Sequence, residues 1–108
     1  MHILRIEHQI HNFDSWKAAF DSDPAGRQQS GVTRYRVLRP IDDPNYVMID
    51  LEVKSLREAE AFLDTLRRDV WGSRQVAPAL VDSPQAQIVE VVESKEYGSQ
   101  DPSMRDRG

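Results

Sequence analysis

The chain contains no cysteine. That absence excludes a disulfide framework, a thiolate nucleophile, cysteine-ligated zinc and iron–sulfur clusters. Nowhere do roughly 18 apolar residues run together, so no membrane-spanning helix is expected. The first residues lack a basic segment followed by an apolar run, which makes a cytoplasmic location the expectation. No run of Lys and Arg occurs, and the net charge is −4 with a pI near 5.3. Phosphate backbones are bound by concentrated positive charge, so no nucleic-acid partner is expected. Glycine is scarce, at 5 of 108 residues, and neither a glycine-rich phosphate loop nor a G-x-S-x-G nucleophile elbow is found. Histidine is limited to His2, His8 and His11. His2 and His8 share a strand face but are separated by roughly 20 Å of extended chain, and His11 points the other way, so no metal site is expected.

What is present is the balance of a folded domain: 39% apolar and 30% charged residues over a length suited to one core. Residues 1–97 are expected to form that single domain. Beyond Ser94 only Tyr97 and Met104 could anchor the chain, so residues 98–108 are expected to be a mobile tail.

From Ile3 to Ile10 apolar and polar residues alternate, with Leu4, Ile6, His8 and Ile10 on one face, which is the period of a half-buried strand. At Asp14, an expected N-cap, the rhythm changes to spacings of three and four through Trp16, Ala19 and Phe20, as in a helix. Gly31 suits a left-handed position after the return. Val32–Arg39 and Tyr46–Val53 read as strands joined by the turn-rich "PIDDPN", hence a hairpin. Ser55 and Glu58 match a capping box, and Leu56, Ala59, Phe62, Leu63, Leu66 and Val70 mark the apolar stripe of a helix running to Trp71. One helical turn is expected near Gln75. The β-branched "QIVEVVE", Gln87–Glu93, reads as the last strand.

The order β-α-β-β-α-β is the α+β, ferredoxin-like arrangement: a four-stranded antiparallel sheet with both helices on one face. The first and third strands should be central. The uncovered face then carries Arg5, Glu7, Met48, Asp50 and Glu52, together with either Arg34 and Arg36 or Tyr35 and Val37 from the second strand. Apolar groups set among both signs of charge suit a face that pairs with its own copy, so a homodimer is expected. Asp50 and Glu52, opposite arginines, read as salt-bridged rather than catalytic.

The segments "RIEHQIHNFDSWKAAFD", "SGVTRYRVLRPIDDPNYVMIDLEV" and "QAQIVEVVESKEY" resemble the dimeric α/β-barrel group that includes the antibiotic-biosynthesis-monooxygenase-like domains. The resemblance covers most of residues 2–97. It implies a homodimer whose sheets face one another and a cavity in each subunit between sheet and helices. Some members are cofactor-free oxygenases of aromatic polyketides and others degrade haem. Asn12 and Trp71 can stand in for two residues of the haem-degrading members, but the second helix has no histidine, so haem degradation is not expected. The oxygenase members surround substrate with Asn, Trp, Tyr and Arg, which makes Trp16, Tyr35 and Trp71 the candidate ligand contacts here, with no cofactor expected.

His8, on the apolar strand face, is the candidate general base, since an imidazole titrates near neutral pH. A buried histidine bonded to a neighbour is the plainer reading. Trp16 sits at core spacing, whereas Trp71, at the end of its helix, is the better wall for a flat pocket. The expectation is a small homodimeric protein binding an apolar or aromatic molecule in a sheet–helix cavity, either as a cofactor-independent monooxygenase-like enzyme or as a non-catalytic binding or structural domain.

Overall fold

A computed structural model describes residues 1–72 and 84–97. The expected turn near Gln75 and the tail 98–108 lie outside these residues. The elements are β1 (His2–Gln9), α1 (Phe13–Ser22), β2 (Val32–Leu38), β3 (Tyr46–Val53), α2 (Leu56–Thr65), a π turn (Leu66–Val70) and β4 (Gln85–Glu90). The strands form one sheet in the order β2-β3-β1-β4, every neighbour antiparallel. This is the ferredoxin-like fold read from the sequence, with β1 and β3 central.

The alternation of β1 and β3 sets the core. Leu4 pairs with Leu51, Ile6 with Ile49 and His8 with Val47, and all six side chains are buried. Burying an aliphatic side chain of this size contributes about 1.5–3 kcal/mol, so a one-residue slip that turned these pairs to solvent would be prohibitive. On α2, Ala59, Phe62 and Leu63 are buried against this face. The capping box is present: the Ser55 hydroxyl accepts from the Glu58 amide at 3.1 Å and donates to the Glu58 carboxylate at 3.1 Å.

Several details differ from the sequence reading. The N-cap of α1 is Asn12, not Asp14. Asn12 has extended backbone angles and accepts the Ser15 amide at 2.9 Å, while Asp14 lies in the first turn, where its charge complements the helix amides. Leu56 is 45% exposed. Each three-residue step along a helix falls about 60° short of a full turn, so Leu56, two such steps from Phe62, leaves the buried stripe. The second helix is not one α-helix to Trp71. It passes into the π turn at Leu66, and the Trp71 amide donates to the Leu66 carbonyl at 2.8 Å. The last strand lies at Gln85–Glu90 rather than Gln87–Glu93. In the observed register Ile88 and Ala86 face Leu4 and Ile6, and β4 stops where its partner β1 stops, leaving Val92 exposed.

A bulge at Thr33 decides the face of β2. Val32 pairs with Val53, but the next partners are Arg34 and Glu52, so one extra residue reverses the alternation. Arg34 and Arg36 therefore join Asp50 and Glu52 on the open face, and Tyr35 and Val37 turn toward the helices.

Candidate functional site

The two helices sit at different heights above the sheet. α2 packs closely on β1, β3 and β4, whereas no Cα of α1 comes within 8 Å of a Cα in any strand. Large side chains span the wider gap. Trp16 reaches down from α1 to His8, their ring centroids 6.3 Å apart and nearly edge-on. Phe13 and Phe20 flank Trp16 at 5.7 and 4.9 Å. Between these rings, the sheet and the end of α2 lies a cavity with about 80 Å³ of room for the centres of water-sized molecules. Ile6, Ile49 and Leu51 form its floor, Trp16, Ala19 and Phe20 one wall, and Phe62, Leu66, Val70 and Trp71 the other. The π turn matters here, because its wider coil carries Val70 and Trp71 into that wall; such turns recur at functional sites.

His8 lines the cavity and is 6% exposed. Its Nδ1 lies 3.2 Å from the Gln9 carbonyl oxygen. If that nitrogen carries the proton it donates there, which fixes the ring and makes Nε2 the basic nitrogen. An imidazole is the side-chain type suited to exchanging a proton near neutral pH, and this one lies among mostly apolar lining residues.

The structure thus gathers His8, Trp16 and Trp71 around one cavity. Tyr35, the other expected ligand contact, is not among the lining residues; its ring meets Phe20 at 5.1 Å, edge to face, and the Arg27 guanidinium at 5.0 Å. The mouth of the cavity escaped the sequence reading. Asp23, Pro24, Ala25 and Arg27 line it, and they come from the irregular return after α1, where no hydrophobic period marks which side chains turn inward. Asp23 occupies the left-handed cap of α1 at φ 55°, and Gly31, the residue expected to be left-handed after the return, has φ 100°. The Asp23 carboxylate accepts the Arg27 amide at 2.9 Å. Among the described residues no group of three or more His, Asp or Glu side chains is placed to hold a metal ion, and no helix is long and apolar enough to cross a membrane.

On the opposite face Asp50 is only 4% exposed because Arg5 covers it. The guanidinium donates to both carboxylate oxygens at 2.8 Å, and Arg36 adds a contact at 3.4 Å. These bonds hold the Asp50 carboxyl below its ordinary range, overcoming the opposing effect of burial. Glu52 pairs with Arg34 at 3.0 Å. Asp50 and Glu52 are engaged in ion pairs, as their placement opposite arginines suggested.

No protein-family model matches the sequence, and no curated protein matches it. Solved structures do match. A cofactor-independent oxygenase from Streptomyces nogalater, SnoaB, aligns at 14% identity and a TM-score of 0.59 over 91% of this chain and 97% of its own. A protein of Nitrosomonas europaea provisionally named an antibiotic biosynthesis monooxygenase aligns at 19% identity and a TM-score of 0.57 over 86% of this chain and 100% of its own. A dimeric ferredoxin-like protein from an uncultured marine organism aligns at 8% identity and a TM-score of 0.60 over 89% and 99%. At such identities the likeness establishes the fold: this chain folds as the antibiotic-biosynthesis-monooxygenase-like proteins do, as the sequence resemblance implied.

Proposed function

We propose that this chain binds a flat, largely apolar molecule between the sheet and α1, and that His8 acts on it as a base in a cofactor-independent, monooxygenase-like reaction. The observation that carries the reading is the cavity itself: aliphatic and aromatic walls with one buried imidazole on the floor strand. Apolar walls supply affinity through burial, while a few polar groups fix orientation. The chemistry balances without a resident cofactor. His8 takes a proton from an activated CH2 group, and the resulting carbanion supplies electrons to dioxygen. Addition of oxygen and loss of water turn the CH2 into a carbonyl, so that one oxygen atom enters the product and the other leaves as water. A structural neighbour described as a cofactor-independent oxygenase makes this reaction class the natural one to test.

Anthrone, a planar ketone with an acidic CH2, is a suitable probe. Native mass spectrometry should show it retained, and oxygen uptake should exceed the background and fall about a hundredfold in His8→Phe. Retention with no uptake above background leaves a non-catalytic binding domain, and uptake above background that is unchanged in the variant removes His8 as the base. The Nδ1 contact to Gln9 favours the non-catalytic reading, since it gives His8 a structural duty. Failure to retain anthrone or any flat aromatic probe removes both.

The same proposal includes a homodimer through the open face of the sheet. The Arg5–Asp50–Arg36 cluster at its centre is surrounded by Ile3, Leu38, Met48 and Val89, which lie on that face by register. Neither helix covers it, and a stable association of this kind buries about 1,600 Å².

A further inference from the structure

Arg27 is the cationic side chain among the residues that line the cavity. It is held unusually firmly for a loop arginine. Its Cζ sits 3.9 Å over the Phe20 ring, its Nη1 donates to the Phe20 carbonyl at 2.8 Å, and its own amide is tied to Asp23. The side chain is only 16% exposed. Yet its charge is incompletely answered: the Asp23 carboxylate stands 3.7 Å from Nε, beyond hydrogen-bond distance, and is already the acceptor for the Arg27 amide. Among the described residues no acceptor meets Nη2. A fixed, mostly buried guanidinium with an uncommitted amino group at the mouth of an apolar cavity is poised to receive a carboxylate, whose planar oxygens match the fork of donors.

We infer that the ligand of this cavity is an aromatic carboxylic acid, its acid group bound by Arg27 and its ring laid along Phe20 and Trp16 toward His8. The inference rests on the reading of the cavity as a binding site and names the class of molecule it takes. The rings make a continuous track: Arg27 lies over Phe20, Phe20 stacks on Trp16 at 4.9 Å with an interplanar angle of 23°, and Trp16 meets His8 at 6.3 Å. A molecule anchored by its carboxylate at one end of this track presents its far ring to the imidazole at the other. Asp23 has a defined part as well. It positions the Arg27 backbone but also competes for the guanidinium, so its charge weakens anion binding while its side-chain oxygen supports the loop.

The test compares 2-naphthoate with 2-naphthamide, matched in shape and differing in charge, by quenching of the Trp16 and Trp71 fluorescence. The wild type should bind naphthoate about tenfold or more tightly than naphthamide, as expected for a charge-assisted bidentate contact. Arg27→Gln should remove the preference, so that naphthoate and naphthamide bind the variant equally. Asp23→Asn keeps the accepting oxygen and a residue that tolerates the left-handed cap, so it should raise naphthoate affinity severalfold relative to naphthamide. Equal binding of the two probes by the wild type, or a preference that survives Arg27→Gln, overturns the inference while the cavity reading stands. Binding of neither probe overturns both. If Arg27→Gln does not fold, the Asp23→Asn result decides: an unchanged naphthoate affinity relative to naphthamide counts against Arg27 as the anchor.

Discussion

Arg5 and Asp50 face each other across the β1–β3 ladder and close a two-point ion pair, both bonds 2.8 Å long, on the face that neither helix covers. Arg5 keeps a side-chain exposure of 46% against 5% for Asp50, so the arginine lies over the acid like a cover. Because its bonds to Arg5, then the charges of Arg5 and Arg36, hold the Asp50 carboxyl below its ordinary value near 3.8, the folded state favours the ionised form more than the unfolded chain does. That stability is fully present above the unfolded value and is lost as pH falls through the folded one. Denaturant titrations at pH 7 and at progressively lower pH below about 4 should show it. Asp50→Asn should cost about 1–3 kcal/mol at pH 7 and flatten the acid limb. An acid limb as steep as in the wild type would assign the dependence to other carboxylates.

Gly31 carries a second dependence. Its φ is +100°, and an added Cβ would stand 2.7 Å from the Glu58 carboxylate, the partner of Ser55 in the capping box. Gly31→Ala should therefore cost more than about 1 kcal/mol through backbone strain, and part of the loss should be shared with the α2 cap. Ser55→Ala alone should cost about 1 kcal/mol. Thermal melts of both single variants and the double should give a double-variant loss smaller than their sum; strict additivity would mean that Glu58 moves aside freely.

The fold was legible because its central pairs repeat one simple pattern: Leu4, Ile6 and His8 against Val47, Ile49 and Leu51 leave no choice of face, and Ser55 with Glu58 marks a helix start by side-chain chemistry alone. The sequence could not reveal the face of Tyr35. That depends on one extra residue at Thr33, and nothing in "VTRYRV" distinguishes a bulge from a regular strand. The site was legible in the same uneven way. His8 and Trp16 follow from periodicity, and Trp71 from its place at a helix end. Arg27 and Asp23 come from an aperiodic loop whose inward turn is set by the α1 cap and by stacking on Phe20, contacts that exist only once the chain is folded.

The two tryptophans of the cavity should separate structure from function. Trp16 is 6% exposed and belongs to the core, packed with His8, Phe13 and Phe20. Trp16→Ala should cost about 3–5 kcal/mol and loosen α1, whose backbone has no other close approach to the sheet. Trp71 is half-buried against the core and closes the π turn through its amide, which any non-proline residue supplies. Trp71→Ala should cost distinctly less stability while weakening the binding of flat aromatic probes about tenfold. Equal melting temperatures for the two variants would contradict this division.

Met48 offers the sharpest test of association. It lies on β3 opposite Glu7 and Leu38, partly exposed beside Asp50 and Glu52, on the face that also carries Ile3 and Val89. Across a two-fold axis this patch must complement itself. Its ion pairs then contribute to register and orientation, because removing them from water offsets most of the Coulomb attraction. Affinity must come from the apolar members, and Met48, unbranched and adaptable, suits a self-packing surface. Sedimentation velocity at micromolar concentration should show a dimer for the wild type. Met48→Lys replaces an apolar side chain with a charge that the interface would have to desolvate, on a face already supplied with Arg5, Arg34 and Arg36, and should shift the equilibrium toward monomer by about a hundredfold or more with little change in the far-ultraviolet circular dichroism. A wild type that sediments as a monomer would end the proposal, and a dimer indifferent to the Met48 charge would move the interface away from this face of the sheet.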